Sequence, residues 1–258
     1  AELFANGEIK IAPDGKVVPA LELELKASDL RGAFAMVQRA ATLPVSASAN
    51  AKLFRDGERF VFDGISFDIS GVRGGGRLTA GSDGTIGGRI MVQRMSVTEL
   101  ARLALGRAAG DGRWSKNAMH DPALAGLSGQ VDVEIAALEL MERVAATKVK
   151  FAAKIAPSEV TIEEFSGEAA GGKFRGKAIL ASGRARAADV VLHLTDVELS
   201  RLLAVKSLRG RLDGEVSFSA AGRSPMELIA GLAGQGKITV HNFELDGAHP
   251  GTLADVLK

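Results

Sequence analysis

The chain has no cysteine and no tyrosine, a single tryptophan, and aromatic residues at only 5% of its 258 positions. Without thiols, disulfides and thiolate metal centres are excluded, while the compartment stays open because an oxidising environment permits cysteine without requiring it. No apolar run approaches the roughly 20 residues that a helix needs to cross a bilayer. An excess of one charge is also missing: 32 basic and 31 acidic residues leave a formal net charge of +1, too little to draw in nucleic acid, so no nucleic-acid partner is expected.

Catalytic signatures are absent too. His120, His193, His241 and His249 form no H-x-x-x-H or H-E-x-x-H pattern, so structural or solvated roles are expected, and no metal. No G-x-S-x-G elbow occurs. Gly231 to Lys237 has the spacing of a phosphate-binding loop, but Ile238 stands where a hydroxyl must reach magnesium, and the flanking helix and strand come in the wrong order. The pairs Glu22/Glu24, Asp132/Glu134 and Asp213/Glu215 are two residues apart, which places each pair on one wet strand face. No enzyme activity and no cofactor are expected.

What is present is apolar alternation, in a chain that is 46% hydrophobic and holds 31 glycines. Leu21 to Leu25 reads LELEL, a strand. Ser28 and Asp29 cap an expected helix from Leu30 to Ala41, which Pro44 ends. Phe60 and Phe62 share a face, but Ile65, Phe67 and Ile69 are out of phase with them. One extra residue at Asp63-Gly64, a bulge or tight turn between two strands, would restore a single apolar face. Gly71 to Gly76 and Gly81 to Gly88 read as turns. Gly88 to Gln93 reads as a strand, and Ser96-Val97-Thr98-Glu99 as a capping box opening a helix to about Arg107.

Residues 110 to 126 break the alternation and form a candidate loop or insertion. From Leu127 it returns in Val131, Val133 and Ile135, then Val149, Phe151, Ala153 and Ile155, then Phe174, Ala178 and Leu180, then Val190, Leu192 and Leu194. Opposing them are Asp132 and Glu134, Lys148, Lys150 and Lys154, and Lys173, Arg175 and Lys177. The pattern implies a sheet with one greasy and one charged face. The lysine rows belong to that charged face, with contact to anionic headgroups as the alternative.

Two words recur. Leu127-Ser-Gly129-Gln-Val-Asp132 echoes Leu208-Arg-Gly210-Arg-Leu-Asp213, and Glu99-Leu100-Ala-Arg102-Leu103 echoes Glu198-Leu199-Ser-Arg201-Leu202. A unit of strands, short helix and Leu-x-Gly strand is therefore repeated, and such units stack into elongated sheets. The stretch 208 to 247 shows the unit best. Leu212, Val216 and Phe218 alternate with Asp213, Glu215 and Ser217. Ser224-Pro225-Met226-Glu227 then opens a helix that Gly234 and Gly236 are expected to stop, and Ile238 and Val240 resume a strand.

The words Leu208-x-Gly210-x-Leu212-Asp213-Gly214, Gly222-x-Ser224-Pro225-x-Glu227-Leu228 and Gly234-x-Gly236, in that order, resemble the C-terminal region of the AsmA family over residues 125 to 258. The expected fold is mainly β with a few short helices: an elongated, curved antiparallel sheet forming a repeating groove with an apolar concave face. Residues 1–109 would be an N-terminal groove portion, 110–126 a loop, and 127–258 the AsmA-like portion. The resemblance implies a periplasmic protein of Gram-negative bacteria that carries phospholipid between inner and outer membrane. Its inner-membrane anchor would lie outside this chain, which is expected to be a piece of a longer protein.

Acyl chains would lie along Val131, Val133, Ile135, Phe151, Phe174, Leu180, Val190, Leu192, Leu212, Val216, Phe218, Ile238 and Val240. The expected partners are phospholipid and the two membrane surfaces. The rival expectation is a scaffold with a sealed core that holds envelope assembly proteins.

Overall fold

A computed structural model describes residues 2–13, 17–27, 46–105, 113–118, 126–181, 186–205 and 207–245. Thirteen strands lie side by side in chain order in one sheet: β1 (Glu2–Ile11), β2 (Val17–Ala27), β3 (Ala47–Asp56), β4 (Arg59–Ile69), β5 (Val72–Gly81), β6 (Thr85–Ser96), β7 (Ser128–Met141), β8 (Val144–Ala156), β9 (Glu159–Ala169), β10 (Gly172–Ala181), β11 (Arg186–Glu198), β12 (Leu208–Gly222) and β13 (Ala233–Leu245). The described helices are α1 (Val97–Leu105), α2 (Leu199–Leu202) and α3 (Pro225–Ala230). The helix expected over 30–41, His120 and His249 lie outside the described residues.

The sheet is curved and unclosed, since β1 and β13 do not pair with each other. Its junctions are antiparallel except one: β6 and β7 run parallel, Val92 beside Ile135 and Ile90 beside Val133. The expected purely antiparallel sheet is therefore a mixed one. A hairpin returns the chain where it left, whereas the connection through α1 and residues 106–127 is long enough to bring it back to the far end of the sheet.

Sequence phase slips coincide with bulges. β4 is one continuous strand rather than two, with its register shifting between Phe62 and Ile65 and Gly64 in the left-handed region at φ 59°. That extra residue puts Phe60, Phe62, Ile65, Phe67 and Ile69 on a single face. In β8, the positive φ of Lys148 separates Ala146 from Val149, and both are buried in one cluster. In β11, Asp196 has a positive φ where the register shifts between Leu194 and Val197. The same device recurs because a strand with period 2 can change phase only by inserting a residue.

Many glycines read as turns lie inside strands. Gly74, Gly75 and Gly76 belong to β5, Gly87 and Gly88 to β6, and Gly234 and Gly236 to β13. The reason is close packing across strands. A Cβ on Gly176 would strike the ring of Phe165, directly opposite it, and one on Gly167 would strike Phe174. The two rings lie 6.3 Å apart at 52°, each folded over the other strand's glycine. Gly74 beneath Phe67 and Gly234 beneath Phe218 repeat the arrangement. At these four positions glycine makes room for a flat aromatic on the neighbouring strand.

Of the three predicted caps, Ser28 and Asp29 lie outside the described residues, and those at Ser96 and Ser224 form. At α1, the Ser96 Oγ accepts from the Glu99 amide at 3.0 Å and the Glu99 carboxylate accepts from the Ser96 amide at 2.6 Å. At α3, Ser224 accepts from the Glu227 amide at 3.2 Å, with Pro225 in the first turn. This helix ends at Ala230 with Gly231 as its cap, several residues before the glycines expected to stop it.

Candidate functional site

The strand registers assemble the apolar positions into a single strip. Val133 sits beside Phe151, and Ile135 beside Val149. Val190 lies between Ala178 and Phe218, and Leu192 between Gly176 and Val216. Leu180 faces Ala188 and Phe174 faces Leu194. Leu212 meets Val240, and Ile238 meets Gly214. Val131 faces Ala153. All thirteen candidate residues thus occupy one face.

The strip is longer than those residues. Across β1 to β6 the same face carries Leu23 and Leu25, Leu53 beside Phe62, and Ile90 beside Gly76. The LELEL alternation carried this signal, but a strand's partner cannot be read from its own period. Arg55 is an exception on this face: it lies 5.6 Å over the Phe60 ring, donates to the carbonyls of Gly57 and Val17, and pairs with Glu58 at 3.1 Å.

Burial along the strip is uneven. At one end of the central strands Val72, Val92, Met95, Ile135, Ala146, Val149 and Ala169 form a buried cluster, with Phe67, Phe151 and Phe174 packed against it. A second cluster joins Val197, Leu199 and Leu212, so α2 lies on the apolar side. The position of α3 is fixed by Gly222, whose missing Cβ would meet the backbone of Glu227 and Leu228. These two helices stand over opposite ends of β12. Between and beyond them the face is bare: Phe218 is 41% exposed and Ile238 58%, against 3% for Ile135. No second sheet covers the strip among the described residues.

The other face is charged and cross-linked between strands. Lys148 pairs with Glu168 at 3.0 Å, Lys150 with Glu134 at 3.5 Å and Lys154 with Glu163 at 2.6 Å. Arg94 reaches Glu139 at 2.8 Å, and Arg211 reaches Asp196 at 2.8 Å. His193 and His241 approach Glu215 and Asp213 at 3.8 and 3.1 Å. At the β4–β5 turn, the Arg73 guanidinium and the Gly71 amide hold the Asp68 carboxyl below its usual range. Recesses of about 660 and 780 Å³ open on this charged face, the first beside Arg175, His193 and Glu215, the second beside Asn6, Glu22 and Lys52. Among the described residues, no three His, Asp or Glu side chains group so as to hold a metal ion.

The geometry defines a class: a long, open, mixed β-sheet with one apolar and one ion-paired face and short helices at its ends. The chain belongs to the AsmA family, whose model matches residues 88–254, and that family is associated with the cell envelope. The match begins within β6 and runs past β13, so it includes the parallel junction and both recurring words. Comparison with curated proteins and with solved structures gave no match. No described helix is long and apolar enough to cross a membrane.

Proposed function

We propose that this chain is a periplasmic segment of a lipid-transfer protein, holding the acyl chains of phospholipids along its apolar strip on their way between inner and outer membrane. The supporting observation is the bare part of the strip, where Leu180, Phe218, Ile238 and Val240 are exposed on a face that continues without a break across the sheet. An apolar surface of this extent is a place for a ligand or a partner. Each methylene taken out of water contributes about 0.8 kcal/mol, so an extended chain needs no polar anchor to stay bound. The headgroup would remain at the charged rim, and the anchor would come from outside this chain. Nothing in the reading calls for a chemical step.

The test is native purification followed by mass spectrometry of extracted lipid, together with uptake of a fluorescent phospholipid. Copurified phospholipid is the expected result. Val216→Asp and Phe218→Asp, both on the open part of the strip, should leave the protein folded and reduce uptake several-fold. Protein that is empty and takes up no probe removes the lipid reading. Unfolding of both variants would instead mean a sealed core, as a scaffold for envelope assembly proteins requires.

A further inference from the structure

The sequence contains two similar rows of cations, Lys148-Lys150-Lys154 and Lys173-Arg175-Lys177, and tertiary structure treats them differently. Each lysine of the β8 row holds a carboxylate from a neighbouring strand. The β10 row draws no ion pair among the described residues. Its neighbours explain why. Lys173 faces Glu168, which Lys148 already occupies, and Thr195 on the other side. Arg175 lies between Ser166 and His193, with no carboxylate directly beside it. Lys177 faces Val191 and the β9 bulge, where Glu163 is held by Lys154 and Glu164 stays out of ion-pairing range.

Three cations therefore stand in line on a central strand, about 7 Å apart, on a chain whose other charges nearly cancel. Hollows flank the line: Lys173 lines one of about 940 Å³ together with Arg143 and Arg201, and Arg175 lines the one of about 660 Å³ with Thr195, Ser217 and Gln235.

We infer that the outward row of β10 is a docking surface for an extended acidic segment of a partner protein. An extended chain projects side chains to one side at the same two-residue repeat, so successive carboxylates meet successive cations. The row is one strand wide, and carboxylates stand on both flanks at Glu163 and Glu168 and at Asp213 and Glu215. A broad anionic bilayer would sense that near-neutral average within a screening length, whereas a narrow ribbon would not. The inference does not depend on lipid occupying the opposite face.

The test is fluorescence anisotropy at low salt, titrating the protein into a labelled peptide of alternating glutamate and threonine. Saturable binding is expected. It should weaken about tenfold or more in Lys173→Gln/Arg175→Gln/Lys177→Gln, and by less than about twofold in Lys10→Gln/Lys52→Gln/Arg89→Gln, which removes the same charge from the same face. Melting temperature and bound lipid should be unchanged in both. No binding, or equal weakening in both variants, overturns the proposal. So does the result that vesicles rich in phosphatidylglycerol bind and are lost in the first variant while the peptide is ignored, since the surface would then belong to a membrane.

Discussion

The β6–α1–β7 and β11–α2–β12 regions are built from the same words and come out differently. Glu99-Leu100-x-Arg102-Leu103 lies in α1, and Glu198-Leu199-x-Arg201-Leu202 ends β11 and forms α2; each is followed by a Leu-x-Gly word opening the next strand. Local geometry is conserved between them. Gly129 and Gly210 have φ of 134° and 141°, a conformation open to glycine and strained for other residues. Yet β7 runs parallel to β6, whereas β12 runs antiparallel to β11.

Burial differs as well. The first region contributes Val92, Met95 and Ile135 to a closed cluster that also takes in Val149 of β8; in the second, the sealed apolar side chains among the described residues are Val197, Leu199 and Leu212, and β13 leaves its side chains exposed. The lesson is that a repeated word sets the conformation of a strand's first residues. The length of the preceding connection sets its direction, and its place in the sheet sets its burial.

Making the two connections equally short has the largest expected effect. Deleting residues 108–125 leaves four residues between Leu105 and Ser128. Four residues reach about 14 Å and α1 adds about 13 Å, short of the roughly 40 Å length of β6. The parallel junction should be lost, seen as loss of a cooperative thermal transition by circular dichroism.

A smaller effect separates the two burial regimes. Ile135→Asp places an unpaired carboxylate in the closed cluster and should cost about 3–5 kcal/mol in urea melts. Ile238→Asp, on the open edge, should cost under about 1 kcal/mol. Equal costs would mean that the edge strand is covered in solution.

The helix starts differ more finely. Ser96→Ala removes a reciprocal cap and should cost about 1 kcal/mol. Glu198→Ala at α2 should cost less, because that residue makes no cap hydrogen bond and its ion pairs with Arg201 and Arg211 stand near the surface.

The smallest effect is in pH. Asp68 titrates below its unfolded value, so its contribution is present above the ordinary aspartate range and is lost as pH falls through its depressed folded value. Asp68→Asn should therefore narrow the difference in melting temperature between neutral and strongly acidic solution, and leave the acid limit itself unchanged.

Much of the fold was legible in advance where the information is local. The phase slip at Asp63-Gly64 foretold the β4 bulge because alternation has only two phases. Ser96 and Ser224 foretold their helices because a cap acts within one turn. The thirteen candidate residues fell on one face for the same reason. Other features were not legible. Gly74 looked like part of a turn and Gly234 like a helix stop, since nothing local shows that Phe67 or Phe218 lies across the strand. The two cation rows looked alike, since their carboxylates come from strands up to 20 residues away.

The alternating faces of β2, β4, β7, β8 and β10 to β13, the starts of α1 and α3, and the lack of familiar catalytic and metal motifs could be read from the chain alone, because each follows from residues a few positions apart. Long-range pairing was needed to make β7 run parallel to β6, to seal the strip in its middle and leave it bare toward β13, and to leave the β10 cations without an ion pair among the described residues. Those outcomes depend on which strands become neighbours and how far the chain travels between them, and neither quantity is written in a residue's own surroundings.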